Sequence, residues 1–401
     1  MLAAGRGWPD MPRQLPPTLP PVKRIFGGAM ADSFRALMTP GASPPLDGLR
    51  AVAILLVLAT HISQHIPAVA TRLASTFWIR PLNNGWVGVD LFFVLSGFLV
   101  GGAILRAIAA GRFSFRTFYL RRFFRILPAY FAVILVLCVI RFGCPGFGRG
   151  PHFRLTDLIP NVLLVTDYWP EAIGIPSWSL SIEEHFYLLV PLLLVFARNL
   201  RPATRCNLLL GFVFAALAAR MLTYYVCDLG HTTLGDNVLR LIYYPFHTRM
   251  DELAMGVLVA ALHQEIPDGP PASLRGVASA LGLLLAGYVY LSGGFYGRWG
   301  AITLQYTLLA IGFGAVIWSV LPAQPVTLLA RLLSARCWVP VARLSYSIYL
   351  THLVVFQYVD DPARSPLLSL VIMIACGLVV ALPLFLFVEE PLHRYARKTF
   401  Q

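Results

Sequence analysis

Apolar residues run along this chain in long blocks separated by short polar stretches. Ten blocks stand out, at 46–66, 85–105, 124–141, 180–197, 207–227, 250–264, 274–291, 301–320, 338–357 and 366–388. All but 250–264 have the length a helix needs to cross hydrocarbon. Alternating ten-residue units of the kind a membrane barrel shows are absent. The pattern therefore predicts an all-α polytopic membrane protein of about ten transmembrane helices. The short sixth block reads as tilted or partly re-entrant. Glutamates open the fourth, so its outer end is expected outside the lipid. No internal repeat and no separate soluble domain is visible. Residues 1–43 are rich in Pro, Gly and Arg and hold no apolar core of signal-peptide length. They read as a disordered cytoplasmic tail ahead of a membrane domain over 44–395, with 396–401 as a second short tail. Met30 is an alternative start, because MADSFRALM leads directly into the first block.

Composition agrees with the pattern: 57% of residues are hydrophobic, 13% are charged, and the mean hydropathy is +0.69. Charge adds direction. The net charge is +13, from 32 basic and 19 acidic residues, and only Lys23 and Lys398 are lysines. Such an excess invites a nucleic-acid reading, but the arginines lie between the blocks, where the positive-inside rule puts them. No nucleic-acid partner is expected. When the blocks are threaded alternately, the side holding both termini carries twenty-two basic residues and the other carries nine. That places both termini in the cytoplasm. The six cysteines are scattered without a CxxC, so a zinc or redox site is not expected. Cys144 and Cys227 fall outside in this topology, and spacing leaves their pairing open.

Chemistry is concentrated in a few segments. In LDGLRAVAILLVLATH (46–61), Arg50 and His61 are eleven residues apart, close to three helical turns, and share one face about 16 Å apart along the axis. A polar pair on one stripe of a spanning helix marks a functional site more often than not. The imidazole of His61 is suited to act as a general base. His65 makes an HxxxH pair with it, but no third ligand is evident and no metal is expected. Arg121, Arg122 and Arg125 crowd one end of the third block. They serve either as ordinary anchors or, through their forked guanidinium groups, as a phosphate clasp. Glu183 and Glu184 open the fourth block, with Ser179 or Ser181 as candidate caps and Tyr187 one turn on. Adjacent glutamates project differently, so one can face the interior and orient a histidine or bind a hydroxyl. Asp90, Tyr187, Arg249, Tyr349 and His352 form the remaining acceptor-side or structural polar lining. Gly97 and Gly101 form a GxxxG, read as helix packing.

Taken together these segments resemble the acyltransferase 3 family of integral-membrane O-acyltransferases. The segments that carry the resemblance are LDGLRAVAILLVLATH, GVDLFFVLSGF, RRFFRILPAY, WSLSIEEHFY, LSYSIYLTH and VEEPLHRY, in that order. His185 and Thr351 depart from it, standing where glutamine and tryptophan are usual. The resemblance implies transfer of an acyl group, usually acetyl from acetyl-CoA, to a hydroxyl of an extracytoplasmic glycan or small molecule at the bacterial inner membrane. No cofactor would be permanently bound; acyl-CoA is the donor substrate. His61, Glu183 and Glu184 would be catalytic, and Arg50, Arg122 and Arg125 would hold the donor. Membrane lipid surrounds such a protein, and a separate periplasmic transferase is a conceivable partner. Two other readings stay open: a secondary transporter, which broken helices and an inverted repeat would support, and an acyl relay that does not complete the transfer.

Overall fold

The computed structural model describes residues 29–66, 83–143, 153–169, 173, 175–229, 237–266, 271–292, 299–321, 326–361 and 363–400. Residues 1–28 of the expected tail and Cys144 of the proposed cysteine pair lie outside them. Among the described residues there are fourteen α-helices and no strand. In chain order they are α1 (Ala29–Leu37), α2 (Pro44–His65), α3 (Val87–Ala109), α4 (Phe115–Cys138), α5 (Ile159–Leu163), α6 (Trp178–Phe196) and α7 (Pro202–Val226). There follow α8 (Phe246–Glu265), α9 (Ala272–Ser292), α10 (Trp299–Ser319), α11 (Leu328–Leu333), α12 (Trp338–Val359), α13 (Pro366–Leu384) and α14 (Glu390–Thr399).

Nine helical stretches among the described residues are long and apolar enough to cross a membrane: α2, α3, α4, α6, α7, α9, α10, α12 and α13 with its continuation into α14. The chain is an all-α polytopic membrane protein. Local chemistry sets several boundaries. Ser114 accepts the Thr117 N–H and opens α4, and Ser365 does the same for α13 through Leu368. Pro383 near the end of α13 leads into a π-helical turn, Phe385–Glu389, which carries the chain into α14.

The expected sixth span differs from its prediction. Instead of a short, tilted segment, α8 is a 20-residue helix. It packs against α3, α7 and α10 at the centre of the molecule. It holds too many charges to count with the nine apolar stretches. Its Arg249, Asp251 and Glu252 have no exposed surface. Each has an oppositely charged partner inside the protein. Arg249 donates to Asp90 (2.7 Å) and Glu252 (3.0 Å), and Arg220 of α7 takes both oxygens of Asp251 (3.1 and 2.6 Å). Aromatic rings of Phe93, Tyr243 and Tyr306 face the Arg249 guanidinium within 5.5 Å. Helix α3 reaches this helix because Gly97 lies against the Leu253 backbone and Gly256 against Val94 and Gly97.

Two other expectations also shift. The third span begins nine residues earlier than its apolar block, so Arg121 and Arg122 sit on helix α4 with Arg125 rather than ahead of it. Residues 29–39, assigned above to the tail, form α1 and its exit. Arg394 of α14 bonds Asp32 (2.7 Å) and Ser33 (2.9 Å), and Arg343 of α12 donates to the Thr39 carbonyl (2.8 Å).

Candidate functional site

Polar side chains from four helices form a row of contacts, a polar corridor, whose two ends differ in chemistry. At one end α4 presents Arg122 and Arg125 inward, one turn apart. Their neighbour Arg121 turns outward to the Phe400 carbonyl (2.6 Å). Arg50 of α2 lies close enough for its charge to interact with those of Arg122, Arg125 and Arg343. Asp47 is its nearest acid, at 3.8 Å. Like charges gathered in a low-dielectric setting repel unless anions are near. Three glutamates supply part of that charge. The field of Arg122 reaches Glu183 and Glu184, and that of Arg125 and Arg50 reaches Glu389.

Helix α6 brings the glutamates in. Tyr187, one turn below Glu183, donates to its Oε2 at 2.9 Å, shares a 3.0 Å hydrogen bond with Ser96 of α3, and lies under the Arg122 guanidinium at 5.3 Å. Glu184 is different. Its Oε1 is buried with no hydrogen-bond partner, which is costly for a carboxylate unless a ligand completes it. The serines expected to cap α6 do not. Ser179 is hydrogen-bonded to the Tyr349 hydroxyl and Ser181 to Thr166 (2.8 Å), so both bond to other elements instead of closing their own helix end.

Helix α12 carries polar groups from one end of the corridor to the other. Tyr346, Tyr349 and His352 recur every three residues, so they spread over about 120° of one broad face and about 9 Å of its length. Tyr346 donates to the Ile126 carbonyl (2.9 Å), Tyr349 meets Ser179, and His352 meets His61.

At that far end His352 Nε2 lies 3.2 Å from His61 Nδ1, with the ring centroids 4.9 Å apart. The hydrogens can be placed by elimination. His352 Nδ1 faces the carbonyls of Ile348 (3.1 Å) and Tyr349 (2.7 Å), which only accept, so it carries a hydrogen. In the neutral ring Nε2 is then an acceptor. His61 Nδ1 faces that acceptor and the Val57 carbonyl (3.0 Å) together, so it carries a hydrogen as well. His61 Nε2 is left with its lone pair. His65 turns away to Asp360 (3.5 Å), so the HxxxH pair does not converge. Among the described residues no group of three His, Cys, Asp or Glu side chains is arranged to hold a metal ion.

The structure thus groups Arg50, Arg122, Arg125, Glu183, Glu184 and Tyr187 at one end and His61 with His352 at the other, with Tyr349 between. Asp90 and Arg249 do not line the corridor. They are closed into the ionic core of α8. Sequence reasoning missed Glu389, which accepts from Ser347 at 2.6 Å, and His393, which lies 3.2 Å from Arg125. The available signal was a glutamate pair in VEEPLHRY directly after an apolar block, where hydrocarbon would exclude it.

Fold and corridor together define a multi-pass helical membrane protein with ionisable side chains held inside its bundle. The chain belongs to the acyltransferase 3 family: the family model, an acyltransferase domain, matches residues 45–388. It is 26% identical over 387 residues to "Putative O-acetyltransferase SACOL0978" of Staphylococcus aureus strain COL, covering 88% of this chain and 57% of that protein. Similarity also extends to "Putative peptidoglycan O-acetyltransferase YrhL" of Bacillus subtilis strain 168, at 27% identity over 89% of this chain and 56% of the relative. A third relative, O-acetyltransferase OatA of Staphylococcus aureus strain NCTC 8325, is 24% identical over 91% of this chain and 59% of its own length. The chain therefore spans a little over half the length of these relatives. No solved structure matches it.

Proposed function

We propose that this chain is a membrane O-acyltransferase that moves an acyl group, acetyl in the first instance, from acyl-CoA to a hydroxyl of a glycan on the far side of the membrane. One observation carries the reading: the lone pair of His61 Nε2, freed by the His352 contact, lies about three helical turns along α2 from Arg50, whose charge joins those of Arg122 and Arg125 on α4. The phosphates of a CoA donor suit the guanidinium forks of Arg122, Arg125 and Arg50. Its thioester then extends along the Tyr346–Tyr349 side toward His61. His61 Nε2 takes the proton of the acceptor hydroxyl as its oxygen attacks the thioester carbonyl. The C–S bond breaks, an ester forms, and the imidazolium returns the proton to the departing CoA thiolate. Glu184 binds an acceptor or donor hydroxyl through its open oxygen, and Glu183 with Tyr187 holds Arg122 in place. With the basic residues in the cytoplasm, the donor enters from inside the cell and the protein sits in the bacterial inner membrane. The names of the relatives support O-acetylation and, for one of them, a peptidoglycan acceptor.

The deciding experiment uses purified protein in lipid nanodiscs with acetyl-CoA, following free thiol, together with mass spectrometry of envelope glycans from cells with and without the gene. The expected result is an acetyl ester lost on deletion, and a drop of at least about 100-fold in transfer for His61→Ala at unchanged protein level. Full activity in that variant overturns the mechanism. An unchanged glycan profile with altered solute uptake favours a transporter.

A further inference from the structure

A second built polar site lies on the opposite side of α6 from the arginine end of the corridor. His185 follows Glu183 by two positions, about 200° around the helix. Its Nδ1 is 3.1 Å from Asp167 Oδ2. A carboxylate only accepts, so Nδ1 carries the hydrogen and in the neutral ring Nε2 is an acceptor. The Asp167 side chain has no exposed surface, whereas that of His185 is 24% exposed. The pair is therefore anchored beneath and open above. The acid is held from the chain on either side of the loop. Thr166 bonds Ser181 (2.8 Å) and Ser177 (3.1 Å) at the start of α6.

Two rings complete the opening. Tyr168 lies parallel to His247, with centroids 5.8 Å apart and planes 8° apart, and its centroid is 6.1 Å from that of His185. The Tyr168 oxygen accepts the His247 backbone N–H (3.4 Å) and shares a second hydrogen bond with His247 Nδ1 at 3.0 Å. His247 Nε2 completes the polar edge of that ring, donating in one tautomer and accepting in the other. The surface offers the imidazole edges of His185 and His247 and the face of Tyr168, which is 55% exposed.

Neighbouring hydroxyls of a sugar ring each donate and accept, and its C–H face packs on an aromatic ring. The three groups match that chemistry. A lipid-facing aromatic belt would need ring tips alone. A carboxylate shut beneath a histidine is expensive at such a place unless it fixes the imidazole. The geometry points to a saccharide-binding subsite formed by Tyr168, His185 and His247, with Asp167 orienting His185. It rests on the acyltransferase reading in one respect: the saccharide is the carrier of the acceptor hydroxyl.

The test is equilibrium binding of triacetylchitotriose and maltotriose to the full chain in nanodiscs, without any acyl donor. Wild-type protein is expected to bind at least one of them. His185→Phe, which keeps a ring but removes the acceptor, and Tyr168→Ala are each expected to weaken binding about tenfold. His185→Gln, whose amide oxygen still accepts, is expected to stay within about threefold of wild type. Unfolding midpoints of the same samples show that each variant is folded. Equal affinity across the folded variants overturns the subsite and leaves the aromatic belt. Failure of wild type to bind either trisaccharide overturns it too. Because binding is measured without a donor, a chain that binds saccharide here but shows no transfer in the acetyl-CoA assay keeps the subsite and loses the catalytic reading.

Discussion

His352 stands behind His61 as an aspartate stands behind the histidine of a hydrolytic triad: its Nε2, 3.2 Å from His61 Nδ1, fixes which nitrogen of His61 is free. Being neutral, it orients the ring and accepts a hydrogen bond without contributing a full negative charge. His352 is a positioning residue in this scheme, and its removal is a test of the tautomer argument.

Replacing His352 by alanine is expected to lower kcat about 10- to 100-fold while the KM for acyl-CoA changes little, because the arginine end is untouched. His352→Gln is expected to recover part of the loss, since its amide oxygen can accept from His61 Nδ1. Steady-state kinetics on the two variants checks this. A KM effect in place of a kcat effect would place His352 in donor binding.

Arg122 and Arg125 are expected to act on the donor. Alanine at either position raises the KM for acyl-CoA about tenfold or more, and lysine does not restore it, because a point charge lacks the fork that matches phosphate. The comparison to make is acetyl-CoA against a truncated acyl-pantetheine donor without the nucleotide phosphates. With the short donor the variants should approach wild type.

Glu184→Gln is expected to reduce acyl transfer by about tenfold or more without loss of folded protein. Its buried Oε1 makes no hydrogen bond within the protein, so little structure depends on it. Thermal unfolding and activity measured on one preparation separate the two effects; a large fall in the midpoint would make Glu184 structural.

Arg249 should behave in the opposite way. Its ion pairs with Asp90 and Glu252 have no exposed side-chain surface. Alanine there leaves two buried carboxylates uncompensated, at a cost of about 3–5 kcal/mol. The expected outcome is poor accumulation and a lowered unfolding midpoint before any specific kinetic defect. Gly97→Leu should act similarly by forcing α3 away from α8, since even a Cβ at Gly97 would run into the Leu253 backbone.

Much of this was legible in the chain. Hydropathy alone gave nine of the spanning stretches, because a helix that meets lipid must be apolar along its length. The Arg50–His61 stripe followed from helical periodicity, and the arginines and glutamates of α4 and α6 stood out because hydrocarbon excludes charge. The exceptions share one cause. The role of α8 is invisible to hydropathy, since a helix surrounded by protein satisfies its charges through partners far away in sequence, as Arg249 does with Asp90. The same holds for Glu389, which reaches the arginines through a π turn after Pro383. His352 could be found by its spacing from Tyr346 and Tyr349, but not its contact with His61, 291 positions away in the chain. Sequence by itself determined where the chain crosses the membrane and which residues are too polar to be there idly. Only the tertiary structure decided which of them meet, because a hydrogen bond 3 Å long depends on how helices pack, and packing is a property of pairs of helices that no single segment encodes.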